Sequence, residues 1–226
     1  MTDMTDMTAG KSNRPKNPTN RPSYLYILLT NTGTAFSRLI QCFTNAPYNH
    51  ASIALDSELN ELYSFGRKTA RNPLNAGFVQ EDIYYGTYSY YQNTSCILLR
   101  LQVTRQEKEA VAAAIEQFRL EQERYSYNLI GLVGVLLNRD LEIPDAYFCS
   151  QFVAEVLRRG GLSLWNNPET GVLPPALVTP QHFHHDPRME KVYEGKLADY
   201  PELDRHKLHA SYAKRYQSRT AALKVN

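Results

Sequence analysis

The sequence predicts an α+β fold in one domain. Runs of strand-forming residues stand at 24–30, 50–66 and 95–103. Segments after 104 and after 149 repeat apolar residues every three or four positions, which is helical spacing. No linker or long repeat divides residues 23–200, so strands and helices must share a core. A polar, Pro- and Asn-rich arm (1–22) precedes this domain, and a basic tail (201–226) read as flexible follows it.

The elements follow in order. "YLYILLT" (24–30) is a short apolar strand, broken by "NTGT". Phe36, Leu39, Ile40 and Phe43 then form a helical stripe, with Cys42 beside it as a packing residue. "HASIALD" alternates, placing His50, Ser52 and Ala54 on one face, and with "ELYSFGRK" it predicts a hairpin over 50–66. Residues 67–93 read as irregular, with tyrosines at 84, 85, 88, 90 and 91 that can line a cleft or finish a sheet edge.

"SCILLRLQV" is a buried strand with Cys96 as core filler. Thr104 followed by Glu107 is a capping box that opens a long amphipathic helix. "YSYNLIGLVGVLLN" (125–138) predicts a second, buried helix. From Cys149, apolar residues fall at 152, 153, 156 and 157, and Arg158 and Arg159 precede Gly160, a helix stop. Residues 162–187 carry five prolines and read as loop, and "MEKVYEGKL" as a last strand. From Arg205 onward there are six Lys or Arg and no acid.

A net charge of +2 gives no ground for a nucleic-acid partner. Three widely spaced cysteines form no metal or disulfide pattern, which predicts a reduced, cytoplasmic protein. The start has no apolar signal segment, and the longest uncharged apolar run, 129–137, is far below the roughly 18 residues of a membrane span.

Cys149 is the residue with chemical promise. A thiol in the first turn of a helix meets unpaired N–H groups and the positive end of the dipole, which favour thiolate. His50 opens a strand on the face of small residues and is the candidate base, taking the thiol proton. The plainer alternative is a buried packing cysteine and a structural histidine.

The order of "SRLIQCFT", "YNHASIAL", a second strand, a long helix, a Tyr-x-Tyr-Asn segment and "CSQFV" resembles the permuted papain-like cysteine hydrolases. These are the YiiX/YaeF-like branch of the NlpC-type superfamily, related to the lecithin–retinol acyltransferase-like proteins. The resemblance spans roughly residues 24–195 and implies an antiparallel, barrel-like sheet packed against helices. It implies Cys149 as nucleophile at a helix N-terminus and His50 as proton shuttle, acting through an acyl-enzyme on an amide or ester. A backbone N–H at Cys149–Ser150 would serve the oxyanion. A third polar residue, often Glu or His, is expected on the next strand. Ser64 aligns there, and Glu61 is the only acid on that strand. Tyr48 and Tyr147 are the candidate substrate contacts.

The expected activity is a cysteine hydrolase of amidase or peptidase type. It would act on a small-molecule, peptide or acyl-amide substrate and need no cofactor. The alternatives are a non-catalytic binding module on the same scaffold, motivated by the weak third residue, and a lipid acyltransferase or thioesterase. "QHFHHD" offers His182, His184, His185 and Asp186, but spacings of two and one converge poorly on a metal.

Overall fold

The computed structural model describes residues 22–33, 46–69, 72–127, 143–167 and 171–223. Ten strands occur among them: β1 (Ser23–Asn31), β2 (His50–Ala54), β3 (Leu62–Thr69), β4 (Asn72–Glu81), β5 (Ser95–Val103), β6 (Ser126–Tyr127), β7 (Ala146–Tyr147), β8 (Asn166–Asn167), β9 (Gly171–Val172) and β10 (Met189–Lys196). The helices are α1 (Arg105–Leu120), α2 (Cys149–Arg159), α3 (Pro180–His184) and α4 (Arg205–Leu223). Six strands form one antiparallel sheet in the order β10-β5-β1-β2-β3-β4. The predicted helix over 36–43 with Cys42, and residues 128–138 of the predicted second helix, lie outside the described residues.

Both faces of the sheet are covered, which explains why β1 reads as a continuous apolar run rather than an alternation. Leu25, Ile27 and Leu29 of β1 face a core closed by Val111, Ile115 and Phe118 of α1 and Phe152, Val153 and Val156 of α2. Leu28 faces a second core with Leu62, Tyr88, Leu197 and Leu208. Cys96 belongs to this second core, and burial pushes its thiol up to about 12. Such a cysteine is inert at neutral pH.

The helices start where their caps lie. Thr104 accepts the Glu107 N–H while the Glu107 carboxylate accepts the Thr104 N–H, the predicted capping box. Where α2 ends, it meets α1 with no room to spare. A Cβ on Gly160 would lie 2.2 Å from Val111 Cγ2. Gly160→Ala should therefore lower stability by about 1–3 kcal/mol through overpacking, read as a fall in the urea midpoint at unchanged m-value.

Three expectations are corrected. The sheet is open rather than barrel-like. Its β10 edge carries Glu190, Lys191, Glu194 and Lys196 and a bulge between Lys191 and Tyr193, features that discourage further pairing. Residues 67–93 are not irregular throughout. β3 runs on to Thr69, and β4 pairs with it over its length. β4 is an edge strand, where a proline such as Pro73 is tolerated.

The basic tail, read as flexible, is helical from Arg205 to Leu223. Asp204 caps it by accepting the His206 and Lys207 N–H groups. Leu208 and Ser211 are buried, and the Ser211 hydroxyl donates to the Tyr84 carbonyl. Among the described residues no helix is long and apolar enough to cross a membrane.

Candidate active site

The site begins with a short ladder. β2 and β3 pair only at Ile53–Tyr63 and Ala54–Leu62. Beyond Ile53 the strands part, and the Ala51 N–H turns to the Cys149 thiol at the start of α2 instead of to β3. The Ser150 N–H also reaches the thiol. The α2 N-cap is Phe148, which has no polar side-chain atom to take the first-turn N–H groups. Those donors are therefore free for the sulfur.

His50 occupies the opened space. A Cβ on Gly66 would come within 3.2 Å of His50 Cε1, so the absent side chain at 66 lets the imidazole lie against β3. His50 Nε2 lies 2.7 Å from Glu81 Oε1, which leaves Nδ1 for the hydrogen bond with Cys149. Sulfur, imidazole and carboxylate thus form one line.

Glu81 ends β4 and collects three further donors. Ser52 Oγ donates to Oε1 at 3.1 Å, Ser64 Oγ also donates to Oε1, and Tyr88 OH donates to Oε2 at 2.8 Å. The tyrosine oxygen lies 3.5 Å from Thr30 Oγ1. Strand alternation puts Ser52, Ser64 and Glu81 on one face of the sheet with His50.

The electrostatics follow from this line. Burial alone would lower the His50 pKa, but the Glu81 charge and the bonds to Cys149 and Glu81 outweigh it and push it up to about 10. Burial would raise the Cys149 thiol. The bond to His50, its charge and the N–H groups of Ala51 and Ser150 instead bring it down. Burial would likewise raise Glu81, and the His50 charge with the bonds from His50, Ser64 and Tyr88 lowers it. Burial and then the Glu81 charge hold the Tyr88 phenol well above its ordinary value, so it stays a donor.

No protein-family model and no curated protein matches the chain.

A cleft of about 180 Å³ opens beside His50 and Glu81. His50, Glu81, Tyr88, Tyr127, Arg67 and Lys68 are among its walls. Cys149 is 6 % exposed and lies behind this lining. Tyr127 comes close because β6 pairs in parallel with β7, setting Tyr127 beside Tyr147 two residues before the cysteine. Burial, and then the charge of Cys149, raise the Tyr127 phenol, so it too keeps its proton.

Of the residues singled out in the sequence, Cys149 and His50 are brought together. Ser64 sits on the expected face, but its hydroxyl donates to Glu81, and it is Glu81 that meets the imidazole. Glu61 is exposed in the turn before β3, where its N–H donates to Asp56. Tyr48 and Tyr147 do not line this cleft. Tyr48 donates to Glu194 at 3.1 Å and packs edge-on to His184. Tyr147 joins an aromatic cluster, 5.3 Å from Phe65 and 5.1 Å from Phe118.

Glu81 and Tyr127 are the residues that the sequence did not assign to the site, and of the five tyrosines at 84–91 that could line a cleft, Tyr88 lines this one. The signal for Tyr127 was its place in the Tyr-x-Tyr-Asn segment; that for Glu81 was hidden with its strand. Among the described residues no three His, Cys, Asp or Glu side chains are placed to hold a metal. His182 Nδ1 accepts the Thr179 N–H, and Asp186 pairs with Arg188 at 2.7 Å.

Proposed function

We propose that the chain is a cysteine hydrolase with the permuted papain-like arrangement, acting on an amide or ester through an acyl-enzyme. The single observation behind this reading is the Cys149–His50–Glu81 line, in which the thiol is driven down and the imidazole up. A thiolate–imidazolium pair is the resting state that such an order of acidities favours.

The thiolate attacks the carbonyl carbon, forming an S–C bond as the carbonyl electrons move to oxygen. N–H groups at the start of α2 and the protonated Tyr127 hydroxyl are the donors at hand for that oxyanion. The His50 imidazolium gives its proton to the leaving nitrogen or oxygen as the carbonyl re-forms, leaving a thioester. Neutral His50 then takes a proton from water, whose oxygen attacks the thioester, and the thiolate departs. Glu81 stays ionised throughout, holding the ring by Nε2 and stabilising its charged form.

A carboxylate on the imidazole removes the weakness that motivated a non-catalytic binding module, namely a serine as third residue. p-Nitrophenyl acetate tests the reading. A burst of about one equivalent of nitrophenolate is expected, with the acetyl group mapped to Cys149 and absent in Cys149→Ala. No burst, or acetylation unaffected by Cys149→Ala, would leave the binding module as the better account.

A further inference from the structure

The charges around the cleft are unevenly satisfied. Two carboxylates and two permanent cations line it. Glu81 is occupied by His50, Ser52, Ser64 and Tyr88. Asp82 Oδ1 accepts the N–H groups of Tyr84 and Tyr85 at 2.7 and 2.9 Å, so this oxygen is committed to its own turn.

The cations differ. Arg67 lies over the Tyr91 ring at 5.6 Å, and its charge acts on the same Tyr127 phenol that feels Cys149. Lys68 runs across Gly77, its Cε 3.0 Å from where a Cβ there would be, so glycine at 77 gives the lysine its path over β4. Among the described residues neither Arg67 nor Lys68 forms an ion pair with a carboxylate.

We infer that Arg67 and Lys68 form a subsite for a compact oxyanion, so that the substrate carries a carboxylate- or phosphate-sized anionic group close to the scissile bond. The inference rests on the hydrolase reading and narrows its substrate class. A cleft of about 180 Å³ has room for a group of amino-acid size. Arg67 supplies a planar pair of donors and Lys68 a mobile point charge, a combination suited to a small oxyanion.

Iodoacetate and iodoacetamide test this, since they differ in charge and little in size. Either reagent alkylates a thiolate with loss of iodide. The readout is the ratio of their rates at Cys149, resolved by peptide mapping. The His50, Glu81 and Cys149 charges also act on the reagent, so the variants decide and not the parent ratio. In Arg67→Gln/Lys68→Gln the iodoacetate-to-iodoacetamide ratio should fall on the order of tenfold at low salt. The charge-preserving Arg67→Lys/Lys68→Arg should keep it.

An unchanged ratio in the double Gln variant overturns the subsite, whatever happens to the two rates separately. If instead iodoacetamide labels Cys149 no faster than Cys96, the hydrolase reading fails and the ratio is not the cause. Succinate and inorganic phosphate, each against sodium chloride of equal ionic strength, then distinguish the source of the anion. Slower iodoacetamide labelling with either supports the subsite, the stronger protector naming the group, and protection by neither overturns it.

Discussion

His50→Ala should slow iodoacetamide labelling of Cys149 at pH 6 by about a hundredfold. A thiol with an ordinary pKa near 8.5 is roughly 0.3 % thiolate at that pH. In the parent protein the bond to the imidazole and its charge bring the thiol below its ordinary value against the opposing effect of burial. Burial without its partner would drive the variant's thiol up, not down. The more basic thiolate is intrinsically the better nucleophile, which returns part of the loss. Cys96, in the second core with its thiol pushed up to about 12, is the internal control and should label slowly in both proteins. A matching thermal midpoint for parent and variant would show that the loss lies in the pair and not in the fold.

Glu81→Gln should cost on the order of a hundredfold in acyl transfer at pH 8 while leaving the fold in place. The amide can keep its oxygen at the Oε1 position for the Ser52 and Ser64 hydroxyls and place its NH2 at the Oε2 position, where the Tyr88 oxygen can turn to accept, whereas Glu81→Ala would strand three buried donors at about 1–3 kcal/mol each. What Gln removes is the charge. The Glu81 charge is the largest influence raising His50 against the opposing effect of burial. Without it the imidazolium loses its proton at lower pH, so the alkaline limb of the pH–rate profile should move from about 10 toward neutrality. Acid stability should change as well. The folded-state pKa of Glu81 lies below its ordinary value, so its contribution is present above about pH 4.3 and is lost as pH falls through the folded value. Glu81→Gln removes that loss, and acid unfolding should be less steep than in the parent.

These two residues differ in how far the sequence announces them. His50 is visible because it opens an alternating strand beside small residues, and Cys149 because the apolar positions behind it have unbroken helical spacing. β1 and β5 stand out as apolar runs because both of their faces are buried, and α1 because Thr104 and Glu107 cap each other. Glu81 is thirty-one positions from His50 in the chain and comes to the ring through the β3–β4 hairpin.

That hairpin is hard to see because β4 is an edge strand. It tolerates Pro73, Asn75 and Gly77, residues that mark turns elsewhere. With β4 unread, Ser64 stood in for the missing group. It has the right face but the wrong role, giving a hydrogen bond to the carboxylate that holds the imidazole. The C-terminal helix has its signals in Asp204 as a cap and in the spacing of Leu208, Ser211 and Tyr212, but Lys and Arg dominate the composition of the segment and favour a flexible reading.

The rate of Cys149 alkylation by iodoacetamide as a function of pH tests the central claim most directly, with Cys149 and Cys96 resolved by peptide mapping. A thiolate held by His50 and Glu81 predicts a rate that levels off at a pH below that of an unassisted thiol. A single titration centred at or above about pH 8.5, as for an unassisted thiol, would contradict it.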